Sequence, residues 1–260
     1  MGTPYAGAMK IETVLCPAEL PALAERDLRR TACVVFDILR ATSTFVTALH
    51  HGADAVFPVC EITEALALRR QRPELRLAGE RAGVKIRASS PTERDFDFGN
   101  SPREFTPENV RGQTIVSTTT NGTRALRAVA GAQTVLAAAF LNLSATANYL
   151  VRTAPGHLLL VGAGTGEDAA LEDTLAAGAL VDILLTRGVV AANDGDDATQ
   201  MARAVFLQAQ PDWPALFNQS RNARRLLAMP ELCADVAVCA QRDVFAGVAV
   251  MEADGGLRWK

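Results

Sequence analysis

Three stretches of this chain carry side chains able to do chemistry on an anion. The first is TTTNGTR, Thr118–Arg124, which joins the β-branched run Thr114–Ser117 to good helix formers from Ala125 to Ala130. Gly122 lets a backbone approach a ligand closely, and a helix beginning near Asn121 aims its free N–H groups and positive dipole end at negative charge. Thr119, Thr120 and Thr123 add hydroxyl donors, and Arg124 adds a fork suited to tetrahedral oxyanions. Asn121 and Thr123 read equally well as ordinary helix caps, which need the same chemistry.

The second stretch is DILRATST, Asp37–Thr44, directly after the apolar run Ala32–Phe36. A carboxylate at the end of a buried strand is placed to bind a metal or to act as a nucleophile, and the competing reading is an N-cap or a partner for Arg40. Arg40, Thr42, Ser43 and Thr44 surround Asp37 with anion donors, which favours function. Phosphatases of the haloacid-dehalogenase class carry an acid two residues after their aspartate nucleophile. Here that position is Leu39, so a covalent aspartyl phosphate lacks its usual proton donor.

The third is GAGTGEDAALED, Gly162–Asp173, with acids at Glu167, Asp168, Glu172 and Asp173. On a helix, Asp168 and Glu172 would share a face and repel by about 0.2–0.5 kcal/mol unless a cation neutralised them. Acids complementing a helix N-terminus, at about 0.3–1 kcal/mol each, are the alternative. Oxygen ligands without a nearby histidine point to Mg²⁺ or Mn²⁺ over Zn²⁺. The only histidines are His50, His51 and His157, on a helix end and a strand start, which argues against a histidine triad or a zincin. The third glycine of a dinucleotide fingerprint would fall at Glu167, whose charge would face a pyrophosphate. Neither GxxxxGK[ST] nor GxSxG occurs.

The elements that must position these residues alternate between β-rich runs and amphipathic helices, the pattern of an α/β protein. Strands are predicted at Ile11–Leu15, Ala32–Phe36, Ala55–Val59, Leu75–Ala78, Thr114–Ser117, Thr134–Ala137, His157–Val161 and Phe245–Met251. Helices are predicted at Ala18–Arg26, Ser43–His51, Ile62–Gln71, Asn121–Ala130, Leu143–Arg152, Ala169–Arg187, Asp197–Gln208 and Ser220–Ala228. Arg81–Pro107 has little periodicity and reads as a functional or mobile loop. Polar clusters follow the strands at Asp37, Gly79–Gly83, Thr118–Arg124, Asn142 and Gly162–Asp173. Ligands collect at the carboxyl ends of strands in open α/β sheets, so these five ends are expected to converge on one pocket.

With 260 residues, 49% of them hydrophobic, the chain can build a large core, and nothing divides it convincingly in two. Met1–Met9 reads as a disordered leader ahead of a single domain over 10–260. A net charge of -3 gives no basic field for nucleic acid or membrane surfaces and fits a small acidic partner. No apolar run reaches transmembrane length. Five cysteines without a CxxC read as reduced core residues of a cytoplasmic protein. The apolar run Phe245–Met251 fits its own core or a twin subunit, leaving a homodimer open.

DILRATST, AGERAG (Ala78–Gly83), FGNSP (Phe98–Pro102), TTTNGTR, the Asn142 segment and LED (Leu171–Asp173) occur together in an order and spacing that resembles the 2-phosphosulfolactate phosphatase family, the ComB-like proteins. Ala82 stands where those proteins commonly carry glycine. The resemblance implies a three-layer α/β/α fold with a largely parallel or mixed sheet. It also implies a Mg²⁺-dependent acid phosphatase that releases phosphate from 2-phospho-3-sulfolactate, a step toward coenzyme M. On that reading Asp37 with Glu172 or Asp173 holds Mg²⁺, and TTTNGTR, through Thr119, Thr120, Asn121, Gly122, Thr123 and Arg124, grips the phosphoryl group. Arg40 and Arg81 neutralise the carboxylate and sulfonate, and Glu80 is the general base or a supporting ligand, a surface salt bridge with Arg81 or Lys85 being the alternative. Thr42, Ser43, Asn100, Ser101 and Asn142 orient the substrate. A hydrolase or isomerase for another phosphorylated acid, or a non-catalytic anion-binding protein, are the alternatives.

Overall fold

Every apolar run read as a strand forms one. The computed structural model describes residues 9–88, 95–191 and 193–260. Its strands are β1 (Lys10–Val14), β2 (Thr31–Phe36), β3 (Ala55–Pro58), β4 (Arg76–Arg81), β5 (Val84–Lys85), β6 (Thr114–Thr118), β7 (Thr134–Ala138), β8 (His157–Gly162), β9 (Ala249–Met251) and β10 (Leu257–Trp259). Among the described residues they make one ten-stranded mixed sheet in the order β1-β8-β2-β7-β9-β10-β3-β6-β4-β5. All six residues of β2 are buried, so helices cover both faces of the sheet there and the fold has three layers.

The sheet consists of two parallel blocks, β1-β8-β2-β7 and β3-β6-β4. The β9–β10 hairpin joins them through three successive antiparallel pairings, so the blocks run in opposite senses along the ladder. Twist of about 20–25° per neighbouring pair accumulates over the steps from β2 to β6 to roughly 100°, which lets strand ends from both blocks border one space. The expected strand Phe245–Met251 shortens to Ala249–Met251 and lies inside the sheet between β7 and β10, so it packs within its own chain and is not left for a twin. Two strands were not expected. β10 follows Asp254-Gly255-Gly256, a hairpin turn signal, and β5 pairs with β4 through the Ala82-Gly83 turn.

Residues 1–8 of the expected leader and 89–94 of the expected long loop lie outside the described residues. Met9, assigned to the leader, is buried in the core. Of the cysteines, all free, only Cys33 and Cys239 are buried; Cys16, Cys60 and Cys233 are half-buried, which corrects their reading as core residues. Among the described residues no helix is long and apolar enough to cross a membrane.

The helix that matters most for the site is Leu171–Thr186, which is buried almost all round because it lies against β2 and β8 with Asp197–Ala209 packed over it. Gly178 is the contact that lets these two helices approach. A Cβ there would stand 2.1 Å from the Ala202 carbonyl oxygen and 2.9 Å from the Phe206 Cβ. Gly178→Ala is therefore expected to cost about 1–3 kcal/mol, read as a lower urea midpoint at unchanged slope. An unchanged midpoint would show that the helices separate freely.

Candidate active site

A cavity of about 320 Å³ opens where the two blocks meet, lined by Asp37, Leu39, Arg40, Glu80, Asn100, Thr120, Asn121, Gly164–Gly166 and Asn222, with Ala82, Gly83, Arg225 and Leu226 completing its wall. Four of the five expected strand ends reach it: those of β2, β4, β6 and β8. The fifth does not. Asn142, after β7, is fully buried, accepting from the Ala139 N–H and donating to the Gly247 carbonyl.

Cross-loop hydrogen bonds hold these ends together. The Asp173 carboxylate accepts from Ile38 N at 2.8 Å and Gly164 N at 2.9 Å, tying the loop after β2 to the loop after β8. Asn121 caps no helix with its side chain; its amide donates to the carbonyls of Ala163 and Gly166, joining the second block to the first. Gly122 serves a close approach, but to Asp37: a Cβ there would lie 2.5 Å from Asp37 Oδ2 and 2.6 Å from the Ala41 Cβ.

Asp37 forms the cavity floor. Its Oδ1 accepts from Ala41 N at 3.0 Å, and its own N–H donates to Thr42 Oγ1. Burial pushes its carboxyl up to about 7, with Glu80 and Glu172 adding to the rise and the Ala41 N–H and Arg40 opposing it. Asp173 is also raised, by burial and then by Glu172 and Asp37. Neighbouring carboxylates thus oppose ionisation at both Asp37 and Asp173. Glu172 is 1% exposed; Oε1 accepts from Asn222 Nδ2 at 2.6 Å, and Oε2 is buried with no hydrogen-bond partner among the described residues. It lines a recess beside the cavity, and Thr165 borders both.

The expected acidic group divides, because the helix starts at Leu171 and leaves Glu167 and Asp168 in the preceding loop. Asp168 and Glu172 therefore do not share a helix face, and Asp168 pairs with Arg221. Arg124 is half-exposed, faces Glu167 at 3.6 Å and lies outside the cavity lining. Arg81 also turns away, its guanidinium donating to Thr118 and to the carbonyls of Glu80 and Cys60.

Most of the expected hydroxyl donors bond to their own loops: Thr42 donates to the Asp37 carbonyl, Ser43 donates to the Ile38 carbonyl, and Thr119 and Thr123 bond each other reciprocally. Ser101 instead reaches the distant Asp235 carboxylate. Buried hydroxyls need partners, and the nearest backbone supplies them. Thr120 is the exception that faces the cavity. Its N–H and hydroxyl both donate to Glu80 Oε1 at 2.9 Å, while Glu80 Oε2 accepts from Gly83 N at 2.6 Å. Arg40 is 3% exposed, reaches Asp235 at 2.6 Å and donates to the Gly83 carbonyl at 2.8 Å; the Leu39–Arg40 peptide preceding it is cis. Asp235, 0% exposed, also accepts from Arg103.

Asp235 and the lining residues Asn222, Arg225 and Leu226 come from C-terminal helices that sequence reasoning assigned no role. The run RNARR from Arg221 was their one visible signal, and Cys233–Cys239 was not expected to be a helix at all.

The model of the 2-phosphosulpholactate phosphatase family matches residues 18–254. The chain belongs to this family. It is 37% identical to the probable 2-phosphosulfolactate phosphatase of Thermosynechococcus vestitus over 92% of this chain and 94% of that protein. A Synechococcus protein of the same name is 37% identical over 96% of this chain and 99% of its own length. The corresponding Nostoc protein is 35% identical over 92% and 96%.

Two outcomes follow for this family member. Asp235→Ala leaves Arg40 buried without a carboxylate and should cost about 3–5 kcal/mol in urea unfolding; a loss under about 1 kcal/mol would show that Arg40 finds water instead. Asp37 has a folded-state value raised above its unfolded one. Its contribution is therefore fully present below about pH 4 and lost as pH rises through about 7. In chelator, Asp37→Asn should melt on the order of 5 °C above the unsubstituted protein at pH 8, with the gap closing toward pH 4. A gap independent of pH would reject buried ionisation at Asp37.

Proposed function

We propose that this chain hydrolyses the phosphate monoester of 2-phosphosulfolactate, releasing sulfolactate and inorganic phosphate, with Mg²⁺ held by Asp37 and Glu172. The observation that carries the reading is the pair of buried acids, Asp37 at the floor of an arginine-bearing cavity and Glu172 beside it with an unpartnered oxygen. The relatives' names supply the substrate, and the coenzyme M role implied by the resemblance rests on that substrate alone. A cavity of about 320 Å³ suits it, at the small end of the roughly 300–1,000 Å³ typical of ligand sites.

The donor set fits Mg²⁺ in a particular way. Among the described residues no three His, Cys, Asp or Glu side chains gather where they could hold a metal ion. Mg²⁺ commonly uses one or two carboxylates, with waters and phosphate oxygens completing its shell, so two acids suffice. Asp173 supports this pair from behind, both its oxygens being taken by backbone N–H groups. When bound, the ion would supply Lewis-acid polarisation of the phosphoryl oxygens.

The chain's own residues do the remaining work. Arg40, positioned by Asp235, offers positive charge to the phosphoryl or carboxylate group. Thr120 and Asn121 border the ester, a task the sequence had given to Arg124 as well. Glu80 orients Thr120 and the Ala82-Gly83 turn through three hydrogen bonds, which makes it a positioning residue in place of the expected base. Leu39 and Leu226 supply apolar surface to the cavity wall.

Phosphate release from a panel of small phosphorylated acids, with Mg²⁺ and with EDTA, tests this reading. Turnover of 2-phosphosulfolactate should require Mg²⁺, and Asp37→Asn should lower kcat at least about 100-fold. Glu172→Gln should raise the Mg²⁺ concentration needed for half-maximal rate. Full turnover in EDTA would sink the metal assignment, and failure on every phosphoester would sink the enzyme reading.

A further inference from the structure

The cavity carries a cation that the chemistry at its floor does not use. Arg225 lies on the Arg221–Leu227 helix and lines the cavity wall. Its Nη2 donates to the Ala82 carbonyl, and a Cβ at Gly83 would come 3.6 Å from the same nitrogen, so the guanidinium covers the β4–β5 turn. That turn has φ of 55° at Ala82 and 81° at Gly83, and it is fastened from the other side by Glu80 and Arg40. Arg40 already faces a carboxylate, Asp235. Arg225 has none: among the described residues its one hydrogen-bond partner is a neutral carbonyl. Its full charge and most of its five N–H donors are available.

Depth assigns the two ends of the cavity different tasks. Asp37 is 9% exposed at the floor, whereas Arg225 is solvent-exposed at the rim. An ester with its phosphoryl group beside Asp37, Thr120 and Asn121 extends its other substituents toward that rim. We propose that Arg225 is the residue that selects substrates bearing a second strong anion on the arm away from the ester, in this case the sulfonate. The inference rests on the proposed function and adds to it the side chain that sets specificity. A sulfonate presents three oxygens in a tetrahedral array, which a guanidinium fork engages through paired N–H donors. Contact at the rim acts on binding, not on the bond being broken, so it should appear in KM and not in kcat.

The test compares 2-phosphosulfolactate with 2-phospholactate, which has a methyl group where the former carries its sulfonated arm. In Arg225→Gln, KM for 2-phosphosulfolactate should rise about 10–100-fold at near-unchanged kcat, while KM for 2-phospholactate moves less than about twofold. Arg225→Lys should recover part of the loss, and a melting curve matching the unsubstituted protein should accompany both variants. An equal rise in KM for the two esters, or no rise for either, overturns the assignment. An unsubstituted protein inert toward 2-phosphosulfolactate rejects the proposed substrate and this inference with it. A working enzyme whose Arg225→Gln variant loses no selectivity rejects the inference alone.

Discussion

Burying carboxylates next to one another is the constraint on which the rest of this structure depends. Asp37 and Asp173 each hold their protons more tightly than free carboxyls, first because water is excluded and then because neighbouring acids oppose ionisation. The fold offsets this with backbone N–H groups, from Ala41 to Asp37 and from Ile38 and Gly164 to Asp173. Those compensating donors belong to the loops after β2 and β8. The acids therefore fix the loops, and the loops fix the acids.

The opposite orientation of the two parallel blocks explains why so many fasteners cross the cavity. In a simply wound sheet, adjacent strand ends are neighbours by construction. Here β2 and β8 must meet β4 and β6 across a hairpin, and no backbone ladder links their ends. Side chains do it instead. Asn121 reaches the loop after β8, Arg40 reaches the β4–β5 turn, Thr44 reaches the Asn100 carbonyl, and Gly122 allows its helix to press on Asp37. Several residues that looked like substrate donors are these fasteners, because a buried polar side chain between loops satisfies itself on the nearest backbone group.

Asp235 does the same for the C-terminal helices. It joins buried Arg40 and Ser101 and the more exposed Arg103 in one network, so the helix carrying it is coupled to the loop after β2 and to the FGNSP segment. Desolvation takes back much of the attraction in a charge pair this deep, so its weight lies mainly in the cost of leaving either partner buried alone. Through the adjoining helix, the same arrangement brings Asn222 to Glu172 and Arg225 over the Ala82-Gly83 turn.

By itself the sequence determined the elements and the chemistry-bearing loops. Eight strands, the long helices, and the convergence of the ends after β2, β4, β6 and β8 were legible because burial on both faces writes unbroken apolar runs and strand ends write polar ones. Asp37 and Glu80 could be named as cavity residues because each stands at the end of a buried strand, where α/β sheets collect ligands. Which way each polar side chain turns was not legible, since Thr42, Ser43, Thr123 and Arg81 serve a ligand or a backbone carbonyl with the same atoms. Only the tertiary structure decided that Arg124 stays outside, that Asn142 is a brace, and that Asn222, Arg225 and Asp235 come from far along the chain to complete the wall. The physical reason is that hydrophobic period is a local property, whereas the partner of a buried charge is settled by which distant surfaces the packed sheet brings within hydrogen-bond reach.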